Sequence, residues 1–250
     1  MNLIRTPALI LRTIPFQETS VIVRLFTKEQ GKVAVIAKGG RRLKSPFRGY
    51  LESLNYVDVI YYTKQTREIQ LLSTIESIEF FFRNQPEIEQ IAYASAIVEC
   101  IDKSIRDQHK DETIFQLTVD SLRFISGNPA LSREAFFAFL FKLTDALGYK
   151  MNLDECSICG KPLTRAGYDM KSGSLICQEC RKYSSDVIPL DPEMMNFLKA
   201  VESVGLSDQL LRLANEKFAD EIMNVLMSYL SFHLDYPLNL KSLDMIRTKR

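Results

Sequence analysis

The chain has 250 residues, 46% hydrophobic and 25% charged, the proportions of an ordinary soluble globular protein with room for one large domain or two to three small ones. No apolar run approaches the twenty residues of a transmembrane helix, and the opening Met-Asn-Leu-Ile-Arg lacks a signal-peptide core, so a cytoplasmic chain with reduced thiols is expected. The net charge of +1 hides an asymmetry: residues 1–50 hold ten cations against only Glu18 and Glu29, a balance of +8, which leaves −7 for the other 200 and marks the head as a polyanion-binding end.

In chain order, the first predicted strand is the apolar run Leu3–Ile14, closed by Pro15. Ser20–Thr27 and Lys32–Ala37 form a hairpin about Lys28–Gly31, and Tyr50–Thr63 and Arg67–Phe80 form a second about Lys64–Thr66. Five strands in about 80 residues, with one long basic loop after the third, predict a small closed barrel of the OB type; an SH3-like barrel is the alternative. After Pro86 the apolar period changes from two to 3.6. One stripe runs Ile88, Ile91, Ala92, Ser95, Ile97, Val98 and Ile101, and another runs from Ile114 to Ile125 before Gly127-Asn128-Pro129. Ser132 is the expected N-cap of a helix over Arg133–Leu147. Its phenylalanines at 136, 137, 139 and 141 make it apolar on nearly every face, the pattern of a central buried helix. Helices are also expected over Pro192–Val204 and Glu216–Leu234, with a short turn or helix near Leu206–Leu213 and a frayed tail at Arg247–Arg250. The predicted architecture is α+β and multi-domain: an OB-fold barrel over 1–80, a helical body over 81–150 and 186–250, and a cysteine module over 151–185 inserted into that body and packed on it.

The module carries the strongest chemical signal. Cys156-Ser157-Ile158-Cys159 and Cys177-Gln178-Glu179-Cys180 are two C-x2-C pairs separated by seventeen residues, the spacing of a four-thiolate zinc site. Gly160 suits the knuckle after the first pair, and Pro162, Gly167 and Gly173 suit a hairpin between the pairs. Two disulfides are the alternative. One zinc held by four cysteines has no open position, which makes the expected metal structural. Cys100, on an apolar helical stripe, reads as a buried core thiol.

The second signal is Ala37–Tyr50, in which Lys38, Arg41, Arg42, Lys44 and Arg48 are interleaved with three glycines, Phe47 and Tyr50. With Arg24, Lys28 and Lys32 on the neighbouring strands, these cations are the candidate phosphate contacts. Phe47 and Tyr50 suit either base stacking or the barrel core. A catalytic set is not expected. His109 lies in a charged loop, His233 lies near a helix C-terminus, and no Walker A, GxGxxG, GxSxG or HExxH pattern occurs.

The order of these motifs carries a resemblance. Ala37-Lys38-Gly39-Gly40-Arg41-Arg42 is followed by Ser45-Pro46-Phe47-Arg48-Gly49, then Leu147-Gly148-Tyr149, then Leu153-Asp154-Glu155-Cys156-Ser157-Ile158-Cys159-Gly160, and last Tyr236-Pro237-Leu238-Asn239-Leu240-Lys241-Ser242. Over its full length the chain resembles the RecO family of bacterial DNA repair and recombination proteins. Asp235-Tyr236 stands where a glycine-containing turn is more usual in that family. The resemblance implies an N-terminal OB-fold, a helical body with an inserted zinc finger, and no enzymatic activity. It further implies binding of single- and double-stranded DNA, annealing of complementary strands, association with the nucleoid, and a role with RecR, and in many bacteria RecF, in loading RecA onto DNA coated by single-strand binding protein (SSB). It implies SSB as a partner, whose acidic C-terminal tail needs an apolar slot rimmed by cations. The phenylalanine-rich helix, with Arg133, Phe137 and Lys142, is the expected place. An RNA-binding or ribosome-associated zinc protein is the alternative from a different class.

Overall fold

In β2 (Ser20–Thr27) every second residue, Val21, Val23 and Leu25, faces one interior. The computed structural model describes residues 2–204 and 219–247. The predicted element near Leu206–Leu213, the start of the helix expected from Glu216, and residues 248–250 of the tail lie outside them. Two compact units emerge, Met1–Pro129 with Leu240–Arg250, and Ala130–Asn239.

In the first unit β1 (Asn2–Phe16), β2, β3 (Gly31–Ala37), β4 (Asn55–Thr63) and β5 (Ile69–Phe80) close a barrel in the order β1-β2-β3-β5-β4. All pairs are antiparallel except β3 with β5, which run parallel from Ala34↔Ile69 to Ile36↔Leu71. That order is the OB-fold. β1 pairs with β4 as far as Leu9 and continues through Pro15 on β2, where Pro15 and Phe16 face Val21 and Ser20 of the hairpin. The interior holds Ala8, Ile10, Val35, Val57, Val59, Tyr61, Leu72 and Ile75. Phe47 is also part of it, with Tyr50 and Leu51 packed alongside, so the aromatics of the basic loop serve the core. β4 accordingly starts at Asn55 rather than at Tyr50.

The outward face of β1 and β2 is also apolar. Leu9 and Phe26 are fully buried, and the Phe26 ring meets Phe115 at 5.4 Å. Phe115 belongs to α2 (Glu112–Gly127), which packs with α1 (Ile88–Ser104). Burying such a pair contributes roughly 1.5–3 kcal/mol per side chain, and it explains why α1 and α2 belong with the barrel. Asp111 caps α2, its Oδ1 accepting from the N–H of Ile114 at 2.9 Å. Gln90 of α1 donates to the Ile125 carbonyl at the end of α2, 2.9 Å away. The segment between the helices presses on the β2–β3 turn: Gln108 N–H donates to the Lys32 carbonyl at 3.1 Å, and a Cβ on Gly31 would lie 2.2 Å from the His109 carbonyl oxygen. Only glycine fits there, at φ +64°.

In the second unit α3 (Ser132–Ala146) packs against α4 (Pro192–Val204) and α5 (Ala219–Leu234). Phe136, Phe137, Phe139, Leu140 and Leu143 are all buried, as a helix apolar all round requires. Ser132 is the first helical residue instead of the N-cap, because a 3-10 turn at Pro129–Leu131 runs straight into the helix. The cysteine module adds a three-stranded antiparallel sheet, β6 (Ala166–Asp169), β7 (Ser174–Cys177) and β8 (Val187–Leu190), in the order β7-β6-β8. It packs on α5, with Tyr168 against Tyr229 at 5.9 Å and the Phe232 ring over Gly173.

Candidate metal centre and basic loop

The Cys156–Cys159 segment folds as a knuckle. Gly160, at φ +69°, returns its N–H to the Cys156 carbonyl at 2.9 Å, and Cys156 N–H donates to the Lys161 carbonyl at 2.9 Å. The β6–β7 hairpin carries Cys177 to this knuckle. Ser157 N–H donates to the Leu175 carbonyl at 3.0 Å, and Cys177 N–H donates to Cys156 Sγ at 3.2 Å. Cys180 opens a 3-10 turn (Cys180–Tyr183), which brings the last thiol back. The four sulfur atoms lie within 4.8 Å of one another. Cys159 and Cys177 are 3.8 Å apart, near the sulfur–sulfur edge of about 3.8 Å in a tetrahedron of 2.3 Å metal–thiolate bonds. No disulfide joins them, and the gathering of all four sulfurs in one cluster is the arrangement of a shared metal site. The set can hold a metal ion. Burial opposes ionisation of Cys156, but the N–H groups of Cys177, Cys159 and Ile158 outweigh it and bring that thiol down to about 6. Burial pushes Cys180 up to about 12. Cys100, fully buried on α1, is likewise pushed up to about 12 by burial.

A buried carboxylate that sequence reading missed braces the hairpin. Asp169 Oδ1 accepts from Ser184 Oγ at 2.7 Å and Lys171 N–H at 3.1 Å, and Oδ2 accepts from Ser172 Oγ at 2.7 Å. It joins the β6–β7 turn to the segment after the second cysteine pair. Burial would raise its pKa, yet the two hydroxyls and the Lys171 amide hold it below the usual carboxylate range. The Asp169-Met170-Lys171-Ser172-Gly173 turn is the available signal, since aspartate accepts from backbone two residues on.

The basic loop is an ordered series of turns. Arg41 N–H donates to the Thr19 carbonyl at 2.8 Å, Arg42 N–H to Gly39 at 3.0 Å, and Ser45 N–H to Arg42 at 3.0 Å. Arg48 Nη1 reaches the Leu43 carbonyl at 3.3 Å, and Asn55 Nδ2 donates to the carbonyls of Gly49 and Tyr50, each at 3.1 Å. Lys38, Arg41, Arg42, Lys44 and Arg48 are exposed, and no ion pair engages them among the described residues.

Two family models cover this architecture: Recombination protein O N terminal matches residues 1–81, and Recombination protein O C terminal matches residues 85–243. The chain belongs to the recombination protein O family. Relatives named DNA repair protein RecO include one from Alkaliphilus metalliredigens, 26% identical over 250 residues that span 98% of this chain and 99% of the relative. Another, from Rhodopirellula baltica, is 28% identical over 200 residues, 78% of this chain and 74% of the relative. A third, from Chlorobium phaeobacteroides, is 32% identical over 173 residues, 69% and 66% of the two chains.

Within this RecO-family chain the eight candidate phosphate contacts divide into five and three. Arg24 pairs with Asp102 at 3.4 Å and also with Asp107, and Lys28 pairs with Glu112 at 2.8 Å. Lys32 is corrected outright: only 4% exposed, its ammonium donates to the Asp102 carbonyl and lies 3.6 Å from the carboxylates of Asp102 and Asp107. Desolvation lowers its pKa against the pull of Asp102. Arg24 and Lys32 fasten the barrel to α1 and the loop after it, and Lys28 fastens it to the start of α2.

The expected slot on α3 is corrected in the same way. Phe137 is 1% exposed, since α4 and α5 cover the helix, and it cannot line a surface groove. Arg133 is half-buried and pairs with Glu134 at 2.7 Å. Lys142 borders a recess of about 30 Å³ with Phe141, Thr144 and Met151, too small for an aromatic side chain. Of the two histidines, His109 is exposed, and the His233 ring stacks on Tyr149 at 4.9 Å.

Proposed function

We propose that this chain is a DNA-repair and recombination mediator of the RecF pathway, which binds single- and double-stranded DNA through the loop 38–48 and anneals complementary strands. The observation that carries this reading is the ordered loop on an OB barrel, with five exposed cations and no acid between residues 38 and 51. Such a loop holds phosphates without reading sequence. RecR and SSB are the proposed protein partners in loading RecA, with RecF where it is present. The proposed SSB contact is on the helical unit, outside both the buried face of α3 and the small recess beside Lys142. Zinc is the ion we assign to Cys156, Cys159, Cys177 and Cys180: four thiolates suit it and fill a tetrahedral shell, so its part is to hold the module and not to activate water. The chain acts by binding, not by catalysis, in the cytoplasm at the nucleoid; among the described residues no helix is long and apolar enough to cross a membrane.

RNA presents the same phosphates, but the relatives above are named for DNA repair, and no feature of the loop favours ribose. Annealing of complementary oligonucleotides coated with SSB tests the proposal. Acceleration by the chain, lost in Arg41→Ala with Arg42→Ala, is expected. Absence of annealing, together with tighter binding of RNA than of single-stranded DNA in competition, would overturn it.

A further inference from the structure

The loop carries one group that phosphate binding does not use. Leu43 is 83% exposed, the most exposed of the large hydrophobic side chains among the described residues. It does not stand on a dangling segment. Its carbonyl accepts from Arg48, the turn before it is closed by Arg42 N–H to Gly39, its own turn is closed by Ser45 N–H to Arg42, and Phe47 anchors the next turn in the barrel core. Arg41 is fixed in turn, its backbone N–H on the Thr19 carbonyl and its guanidinium beside the carbonyls of Gln17 and Glu18, 3.5 and 3.3 Å away. An aliphatic side chain is thus held out to solvent, with Arg41 and Arg42 before it and Lys44 after it.

A surface that positive selects a polyanion over an apolar protein face. Within a polyanion, the apolar group needs an apolar partner. The phosphate backbone has none, and in a duplex the base faces are hidden by stacking. A single strand exposes them. Apolar wedges do enter duplex base steps, but they must first unstack paired neighbours; unpaired bases spare that cost, while cations hold the flanking phosphates. We infer that Leu43 is a base-contacting wedge, which packs against or between unpaired bases and makes the loop favour single-stranded over duplex nucleic acid. This rests on the reading that the loop binds nucleic acid, and it adds what the cations alone cannot supply, a means of telling a single strand from a duplex.

The test uses the full chain, an oligo-dT strand with a central 2-aminopurine, and the matching duplex. The wild type should change the 2-aminopurine emission of the single strand as the wedge alters its stacking. Leu43→Ser should abolish most of that change and weaken single-strand binding about fivefold, the low end for one base contact. Duplex affinity should stay within about twofold, since the phosphate contacts are untouched. Leu43→Phe should restore both the emission change and the affinity. If Leu43→Ser leaves the emission change and single-strand affinity intact, or weakens single strand and duplex alike, the wedge is wrong. The underlying reading fails separately: in that case Arg41→Ala with Arg42→Ala leaves the salt dependence of binding unchanged, whatever Leu43 does.

Discussion

Ser242 is tied to Glu99 across 143 residues of sequence: Glu99 Oε2 accepts from both the N–H and the hydroxyl of Ser242, at 2.9 and 2.8 Å. The other oxygen accepts from Lys241 N–H at 3.1 Å and from the Lys103 ammonium at 2.8 Å. One carboxylate on α1 therefore receives the end of the chain, and this gives the Leu240-Lys241-Ser242 motif a physical role. Glu99→Ala removes four hydrogen bonds to a charged acceptor, and a loss of about 2 kcal/mol is expected, seen as a fall of several degrees in Tm.

The same carboxylate sets a pH dependence. Burial would raise its pKa, but Lys103, Ser242 and Lys241 outweigh it and hold Glu99 below its ordinary value of 4.5. A carboxylate depressed by folding contributes fully above its unfolded pKa and loses that contribution as pH falls through the folded one. The difference in urea midpoint between wild type and Glu99→Gln should be constant from pH 8 to about 6, then shrink below about 4.5. A difference that grows on acidification would contradict the clamp.

Lys32 and Arg41 should separate stability from binding. Lys32→Ala leaves buried acceptors on Asp102 without their ammonium, and a loss of about 1–3 kcal/mol is expected with the salt slope of DNA binding unchanged. Arg41→Ala with Arg42→Ala should leave Tm within a degree or two, yet reduce that slope by about 0.7–0.9 for each lost phosphate contact. Thermal melts and fluorescence titrations at several salt concentrations measure both. A flattened slope in Lys32→Ala would return that residue to the binding surface.

The divergence of these two residues shows where sequence reading stops. Alternation at Val21, Val23 and Leu25, the turn at Gly31 and the spacing of the cysteines are local patterns, and each appears in the fold where it was expected. The partners of Arg24 and Lys32 lie some 70–80 residues away at Asp102 and Asp107, and a charge count over residues 1–50 cannot register them. Tyr50 extends the apparent apolar run of β4, although it packs against the barrel interior from a turn. Phe137 failed for a related reason. A helix apolar on every face signals burial, and its period does not mark which face, if any, a partner could reach.

The cysteine module should depend on Asp169 almost as on its thiols. Cys159→Ser removes a ligand and should lower both metal content and Tm. Asp169→Asn keeps all four thiols but weakens the bonds from Ser172, Ser184 and Lys171 that brace the hairpin. Metal release to a chromogenic chelator should be several-fold faster than in wild type, with about one ion per chain still bound before challenge. Release at the wild-type rate would show that the hairpin holds its shape without Asp169.

Two glycines should respond differently to the same substitution. At Gly31 the added Cβ would meet the backbone oxygen and carbon of His109 at 2.2 and 2.5 Å, and at Gly173 it would meet the Phe232 ring at 2.1 Å. Both have positive φ, which alone costs an alanine about 1–2 kcal/mol. The His109 backbone cannot retreat without pulling on the Gln108–Lys32 hydrogen bond, so Gly31→Ala should cost more than about 3 kcal/mol. Phe232 is exposed, and its ring can swing away, so Gly173→Ala should cost about 1–3 kcal/mol. In a Phe232→Ala background only the φ penalty remains, and the double-mutant cycle should give a coupling of about 1 kcal/mol. His109→Ala offers Gly31→Ala no such relief, because the obstructing atoms are main chain. Strict additivity at Gly173 and Phe232 would mean that the hairpin tip does not rest on the ring.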